Sequence, residues 1–245
     1  MNSYKGVDYY NIESLLSPEE ILIRNTVREF VSDEIIPIIE KHNRESTFPV
    51  HLVSKMAELG LYGSTFPQKY GCAELNYVSY GLIAQELERG DSGIRSFVSV
   101  QSSLVMYPIL RFGSEDQKEK WLPQLANGTK IGCFGLTEPD YGSNPSGMVT
   151  KAEEVDGGYL LNGAKMWITN GTIADLAVVW AKLDGVVRGF LVEKVMKGFT
   201  APEMKGKHSL RASVTSELIF DNVFLPAQNI LPKTEGLKNA LMCLN

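Results

Sequence analysis

The hydrophobic pattern of this chain changes once, near residue 130, and that change restricts the possible folds more than any other feature. Before it, apolar residues such as Ile23, Val27, Phe30 and Val31 recur at the spacing of amphipathic helices. From Gly132 onwards, short β-branched runs are separated by Asx-Gly turn signals. Strands do not alternate with helices there, which disfavours a parallel nucleotide-binding sheet. The pattern predicts an α+β chain with an N-terminal helical domain followed by an antiparallel β-barrel domain.

Capping signals mark the predicted helix starts. Ser17 opens a capping box of sequence SPEE, and Ser114 opens another of sequence SEDQ. Pro37 predicts a kink or an end in the first helix. Further helices are expected from about Pro49 to Gly60, Tyr77 to Arg89 and Ser92 to Phe112, and the helix after Ser114 should end near Asn127-Gly128.

Strands and turns are predicted in the second part from β-branched runs and Asx-Gly pairs. The expected strands contain Val178–Trp180, Gly189–Val192 and Leu218–Phe220, and the expected turns are Asp156-Gly157, Asn162-Gly163, Asn170-Gly171 and Asp184-Gly185.

Three regions are therefore expected: a helical domain over residues 1–131, a β-barrel domain over 132–232, and the start of a C-terminal helical domain over 233–245. An apolar run that reaches Leu244 without a helix cap is an unusual end for a domain. We expect the C-terminal helical bundle to be missing from this chain.

Charge and composition disfavour several classes of partner. Lys and Arg number 24 against 29 Asp and Glu, which gives a net charge of -5 and no basic stripe for nucleic acid. No apolar stretch approaches the roughly 20 residues that span a bilayer, so no membrane association is expected. The first residues show neither a signal h-region nor an Arg-rich transit bias. Cys72, Cys133 and Cys243 are far apart in sequence and are interpreted as reduced cysteines of a cytoplasmic protein, or of a mitochondrial matrix protein if processed.

The chain shows no self-contained acid, base or nucleophile motif. His42, His51 and His208 are scattered, without the spacing of metal ligands. Nucleophile-elbow, P-loop and dinucleotide fingerprints do not occur. Any chemistry would therefore depend on a cofactor.

Two segments stand out. In FGLTEPDYGS, residues 134–143, an apolar strand runs into a loop whose backbone N–H groups and Thr137 and Ser143 hydroxyls could hold an electron-rich ring or a phosphate. A simple turn between strands is the alternative. The second segment is GAKMWITN, residues 163–170, where Trp167 could equally be core packing and Thr169 a turn residue.

Together the two segments resemble the acyl-CoA dehydrogenase family, whose pattern is G-x-T-E-P-x-x-G-S followed by N-G-x-K-x-W-I-T-N. The resemblance implies FAD as cofactor, with Ser143 also touching the pantetheine of an acyl-CoA substrate. The family more often has G-S-D where this chain has Gly142-Ser143-Asn144, which removes a loop charge and keeps the hydroxyl. The implied flavin-binding residues are Phe134, Leu136, Thr137 and Ser143 in the first segment, and Trp167, Ile168 and Thr169 in the second.

Residues 86–117 resemble the glutaryl-CoA dehydrogenase branch of the family, with ELER, DSG, RS and SVQSSLVM at matching positions. That resemblance implies that Arg95, helped by Ser96 and Ser99, binds the distal carboxylate of a glutaryl chain. Glu88 matches a glutamate of the decarboxylating members.

Helical geometry leaves simpler readings of these residues open. Four serines lie at helical spacing on one face, which close helix packing would also explain: Ser92, Ser96, Ser99 and Ser103. Arg95 could merely form an i,i+4 pair with Asp91, worth about 0.3–0.5 kcal/mol.

The implied reaction is α,β-dehydrogenation of a short-chain acyl-CoA, most specifically glutaryl-CoA to crotonyl-CoA and CO2, with electrons passed to an electron-transferring flavoprotein. The family's base is a glutamate of the C-terminal domain, so no catalytic base is assigned in this chain. The isolated chain is expected to bind FAD weakly and to be inactive. The family forms homotetramers. The alternatives are a non-catalytic acyl-CoA- or flavin-binding module, or one chain of a split dehydrogenase.

Overall fold

A computed structural model describes residues 9–244 and shows a helical half followed by a β-sheet half. The helices are α1 Pro18–Phe30, α2 Ile36–Glu45, α3 Leu52–Glu58, α4 Tyr77–Gly90, α5 Ser92–Ser99, α6 Tyr107–Phe112, α7 Glu115–Ala126 and, after the sheet, α8 Leu237–Leu241. The strands are β1 Gly132–Gly135, β2 Lys151–Val155, β3 Gly158–Thr169, β4 Leu176–Leu183, β5 Val186–Glu193, β6 Phe199–Thr200 and β7 Thr215–Pro226.

Both predicted capping boxes form. The Ser17 hydroxyl accepts a hydrogen bond from the Glu20 N–H at 3.2 Å, and the Glu20 carboxylate accepts one from the Ser17 N–H at 2.8 Å. Ser114 and Gln117 make the same reciprocal pair at the start of α7. These local bonds satisfy backbone donors that the first helical turn leaves free, which is why the sequence locates the helix starts correctly.

Two π-helical segments interrupt the regular helices, at Val31–Ile35 and Val100–Met106. The first joins α1 directly to α2, so the chain stays helical through Pro37. This helical stretch ends at Ser46, which has left-handed backbone angles. The extra residue in a π-helical turn shifts the direction of the following side chains. The second segment therefore sets which residues after Val100 face the sheet.

The seven strands form one curled, mixed sheet in the order β1-β4-β2-β3-β7-β6, with β5 on β4. The predicted succession of a helical domain and a barrel-like β domain is confirmed. Most pairs are antiparallel, but β1 and β2 each pair parallel with β4. The chain between β1 and β4 contains the β2–β3 hairpin and no crossover helix, so the sheet is not of the nucleotide-binding kind.

Three of the four predicted turns form, and one prediction was wrong. Asp156-Gly157 and Asp184-Gly185 close hairpins, and Asn170-Gly171 follows β3. Asn162-Gly163 lies inside β3, where the register against β7 slips and a bulge forms. The Asx-Gly pair is the same as at the other turns, but here β3 continues to pair with β7 on both sides of the glycine.

Gln101 ties the helical half to the sheet. Its side chain is fully buried in the second π-helical segment, and its amide donates to the carbonyls of Leu125 and Lys130 at 3.0 and 2.9 Å. Its oxygen accepts from the Gly132 N–H, the first residue of β1, at 2.9 Å. One face of the sheet also belongs to the helical core, so β1 is fixed against the helices by packing and by this amide.

No helix among residues 9–244 is both long and apolar enough to cross a membrane.

Glu86 supports the helical half and gives a test by pH. Its carboxylate is buried and accepts hydrogen bonds from Arg28 and Arg89 at 2.7–3.1 Å. Burial raises the pKa of Glu86, but these arginine bonds outweigh it and hold the pKa below the ordinary 4.5. A carboxyl with a depressed folded-state pKa stabilises the fold above its unfolded pKa and loses that contribution as pH falls through the folded value.

Glu86→Gln is therefore expected to lower the free energy of unfolding at pH 7 by about 2 kcal/mol, since it removes charged hydrogen bonds. The difference from wild type should shrink as pH falls below 4.5, because the carboxyl of the unfolded wild-type chain is protonated there before the folded one, whose pKa is lower. Urea unfolding at pH 7 and pH 3.5 measures both effects, with the exposed Glu153→Gln as control. An equal difference at both pH values would contradict the role of the carboxylate charge.

Candidate functional site

A cleft of about 210 Å³ lies where the helical half meets the sheet. Four stretches of the sequence contribute to it: the end of β1 with its following loop, the end of β3, the second π-helical segment, and the short 3-10 helix Met242–Leu244. Its lining residues are Phe134, Leu136, Thr137, Trp167, Ile168, Thr169, Val100, Leu104 and Leu244. Six of the seven residues proposed from the resemblance for flavin binding thus lie around one cleft.

The bottom of the cleft is apolar and its sides carry hydroxyls. Phe134 on β1 and Leu136 just after it are buried, and the Phe134 ring packs edge-on against Trp180 of β4 with 6.2 Å between ring centroids. Thr137, in the loop that follows β1, and Thr169, the last residue of β3, are half-buried. An apolar bottom with a few hydroxyls at its edge suits a flat conjugated ring that has polar atoms on its rim.

Trp167 has an unusual conformation at the end of β3. A register shift between Lys165 and Ile168 places Trp167 in a bulge with a φ of 63°, and its side chain is 60% exposed. The neighbouring Ile168 is buried. The alternative that Trp167 is a core residue was therefore wrong. A bulky residue with positive φ is strained, and such strain is concentrated at functional sites.

A buried ion pair joins the two motif segments behind the cleft. The Lys165 ammonium lies 2.8 Å from the Glu138 carboxylate, and the side chains are 0% and 2% exposed. Burial lowers the pKa of Lys165 to about 8, although Glu138 opposes that shift. Burial raises the pKa of Glu138, but hydrogen bonds led by that from Lys165 outweigh it, so this pKa lies below its ordinary value.

Arg95 and Glu88, both assigned to substrate binding from the resemblance, contact each other. The Arg95 Nε donates to Glu88 at 2.7 Å, which links α5 to the end of α4. The alternative of an Asp91–Arg95 pair was wrong: the Asp91 carboxylate instead caps α5 by accepting from the N–H groups of Gly93 and Ile94. Capping wins because those N–H groups have no helical partner. The bond from Arg95 also lowers the pKa of Glu88.

The serine face of α5 and of the π-helical segment after it points towards α4. Ser92 donates to Glu88, and the hydroxyls of Ser103 and Tyr80 lie 3.3 Å apart. Ser96 and Ser99 lie between them and are half-buried, and neither hydroxyl has a hydrogen-bonding partner among residues 9–244. Ser99 directly precedes Val100, which lines the cleft.

Ser143 does not line the cleft. It is exposed, in the long loop between β1 and β2. Conversely, sequence reasoning did not single out the cleft residues Val100 and Leu104, nor the Glu138–Lys165 pair. Each motif contains one member of that pair, so the signal available in the sequence was a glutamate in the first motif and a lysine in the second.

Comparison with known proteins agrees with this architecture. Residues 17–129 match the family model of the acyl-CoA dehydrogenase N-terminal domain, and residues 133–223 match that of the middle domain. An acyl-CoA dehydrogenase of Bacillus subtilis is 40% identical over 94% of this chain and 62% of its own length. A mitochondrial isovaleryl-CoA dehydrogenase of Arabidopsis thaliana is 38% identical over 89% of this chain and 55% of its own length.

The crystal structure of a glutaryl-CoA dehydrogenase of Mycobacterium smegmatis in complex with FADH2 is also similar, with 54% identity and a TM-score of 0.94. It is matched over 96% of this chain and 61% of that protein. The chain thus spans between 55% and 62% of the length of these relatives. Two successive domain models match the chain, and the likeness to these relatives covers 89–96% of it. The chain therefore belongs to the acyl-CoA dehydrogenase family, of which it contains the N-terminal and middle domains.

Proposed function

We propose that this chain is the FAD- and thioester-binding part of an acyl-CoA dehydrogenase whose substrate is glutaryl-CoA. The observation that carries the proposal is the cleft, because two motifs some thirty residues apart in sequence line it together. The whole protein would oxidise the α,β-bond of the glutaryl chain and release crotonyl-CoA and CO2. We further propose the domain boundaries 1–131, 132–232 and 233–245 for this arrangement.

The cleft suits the isoalloxazine ring of FAD in shape and chemistry. Phe134, Leu136 and Ile168 supply an apolar surface, Thr137 and Thr169 supply hydroxyls, and Trp167 supplies an exposed aromatic wall. Bound there, FAD would supply the two-electron acceptor for the reaction, which no side chain in this chain can provide. Ser143 would contact the pyrophosphate of the cofactor and the pantetheine of the substrate.

Residues of the chain would bind and orient the reactants. Thr137 and Thr169 would hold the polar edge of the ring, and the buried Ile168 would exclude water from one side. Holding reactants in a fixed orientation accounts for a large part of enzymatic rate enhancement.

Arg95 supports a dicarboxylic substrate. Its Nε is bound to Glu88, and its two terminal nitrogens make no hydrogen bond among residues 9–244. A guanidinium held from one side in this way presents a preoriented fork to a carboxylate. The unpartnered hydroxyls of Ser96 and Ser99 lie on the same helix and would complete the site.

We also propose an electron-transferring flavoprotein as electron acceptor, and a homo-oligomer as the working state of the whole protein. A cytoplasmic or mitochondrial matrix location would fit this electron acceptor and this oligomer. These proposals rest on the family resemblance.

Titration of the purified chain with FAD, followed by flavin fluorescence, tests the cofactor assignment. Wild type is expected to bind FAD, and Thr137→Val or Thr169→Val should weaken binding by about fivefold each, since each removes one hydrogen bond. Thr200→Val on β6, outside the cleft, is the matched control and should change nothing. Absence of binding by wild type, or equal affinity of the cleft and control variants, would contradict the proposal.

A further inference from the structure

The buried pair Glu138–Lys165 has no part in the contacts proposed above, although each residue lies within one of the two motifs. We propose that this pair is a positioning element, which holds the two segments in the one arrangement that lets both contact the same flavin ring. The inference rests on the proposed FAD site and extends it to residues that would not touch the cofactor.

Lys165 fixes the first segment from behind. Its ammonium donates to the Leu136 carbonyl at 3.1 Å and to the Glu138 carboxylate at 2.8 Å, the residues on either side of Thr137. Next to Lys165, the Met166 N–H donates to the Thr137 carbonyl at 2.8 Å. The backbone around Thr137 is therefore held at three successive residues by the segment that continues into Trp167.

Glu138 fixes the far end of the loop that carries Ser143. Its carboxylate accepts hydrogen bonds from the N–H groups of Val149 and Thr150 at 2.7 and 3.0 Å. The loop therefore begins and ends at the same carboxylate. Thr150 in turn donates its hydroxyl to the Ala164 carbonyl at 3.2 Å, so the end of the loop is also joined to β3.

Strand β1, which leads into the loop of Glu138, has a glycine where the Lys165 side chain passes. A Cβ atom at Gly135 would come within 3.1 Å of the Lys165 Cγ, so the glycine leaves room for the lysine stem to cross β1. Apart from the Met148 sulfur, which lies 4.0 Å from the Lys165 ammonium, the partners of the pair are each other and backbone groups of the first motif segment and the following loop.

Energetic considerations favour positioning over stabilisation. Removing two charges from water costs about as much as their attraction returns, so a buried ion pair contributes little net stability compared with apolar residues of similar volume. What such a pair does provide is geometry, because its bonds are short and directional. The two roles therefore predict different behaviour when both charges are removed together.

The test compares single and double variants for folding and for FAD binding. Lys165→Met or Glu138→Gln alone leaves one buried charge without its partner and should lower the folding equilibrium constant at least roughly a hundredfold. The double variant Glu138→Gln/Lys165→Met should recover most of that loss, since no unpaired charge remains. Its dissociation constant for FAD should nevertheless stay about tenfold or more above wild type, because methionine cannot hold the Leu136 carbonyl.

A matched control is Lys151→Met/Glu153→Gln, which removes an exposed ion pair on β2 of the same sheet and should alter neither quantity. Glu138→Asp provides a second variant that keeps both charges and moves the carboxylate by one methylene. It should fold and should also weaken FAD binding about tenfold. Wild-type FAD affinity in either the recovered double variant or Glu138→Asp would overturn the proposal.

Hydrogen exchange separates a failure of this inference from a failure of the cofactor assignment. In the double variant the amides of Met166, Val149 and Thr150 should exchange at least tenfold faster than in wild type, while amides of β4 and β5 should not change. Faster exchange in a protein whose wild type binds no FAD would uphold the positioning role and refute the flavin site. Unchanged exchange at these amides would overturn the positioning role whatever the cofactor result.

Discussion

Replacing Arg95 with alanine is expected to weaken the binding of glutaryl-CoA to the FAD-loaded chain by between about tenfold and more than a hundredfold. A hydrogen bond to a charged group contributes roughly 1.5–3 kcal/mol, and more when the partner is left buried and unpaired. Isothermal titration with glutaryl-CoA measures this directly. Because it measures binding, it does not depend on the residues that complete the reaction.

The comparison with butyryl-CoA makes the prediction specific. That thioester has no distal carboxylate, so its affinity should change by less than twofold in the Arg95→Ala variant, or rise slightly. A loss common to both thioesters would show instead that Arg95 serves only to hold α5 to Glu88 of α4. An equal change below twofold for both would show that Arg95 has no role in binding, and a substrate without the second carboxylate would then be preferred.

Arg44 provides a matched control for charge, since it is also a helical arginine that pairs with a glutamate. It forms an ion pair with Glu40 on the surface of α2, and its side chain is 77% exposed. Arg44→Ala removes the same positive charge from a helix without removing a group of the proposed carboxylate site. We expect it to leave the affinity for both thioesters unchanged within a factor of two, since exposed pairs contribute little.

The parts of the fold that could be predicted depend on interactions between near neighbours in the chain. Ser17 and Ser114 cap helices through bonds that span three residues, and Asp184-Gly185 forms its turn with two residues at positive φ. Each such signal is complete within a few residues. The sequence could not reveal the parallel pairing of β1 with β4, because that pairing depends on residues about 44 apart and has no local signature.

In the candidate site, too, contacts between residues distant in sequence could not be predicted from local patterns. Phe134 and Thr169 could be placed together only through the family resemblance, because no periodicity relates β1 to the end of β3. The contact between Glu88 and Arg95 spans the junction of α4 and α5, so an i,i+4 rule for one helix could not predict it. In the same way, the π-helical turn that brings Val100 and Leu104 to the cleft results from tertiary packing and has no recognisable motif.

Substitution of Gly163 is expected to have a large effect on the free energy of unfolding. The sequence pattern predicts the wrong environment for this residue. It follows Asn162 and resembles a hairpin turn, yet it lies in the β3 bulge with a φ of 140°. A Cβ atom there would lie 2.5 Å from the Thr150 Oγ and 2.7 Å from the Thr150 Cα. Thr150 is fully buried and cannot move away without breaking its bonds to Glu138 and Ala164.

Gly163→Ala is therefore expected to lower the free energy of unfolding by about 3–5 kcal/mol, the sum of backbone strain at positive φ and of overpacking. Gly185→Ala is the matched control, because Gly185 follows Asp184 as Gly163 follows Asn162 and also has positive φ, 78°. No atom of residues 9–244, however, lies within 4 Å of its Cβ position. It should lose only about 1 kcal/mol, the backbone term alone. Urea unfolding of both variants measures the difference. Equal losses would mean that Thr150 yields to the added methyl group, and that the bulge does not depend on close contact between β3 and the loop anchored by Glu138.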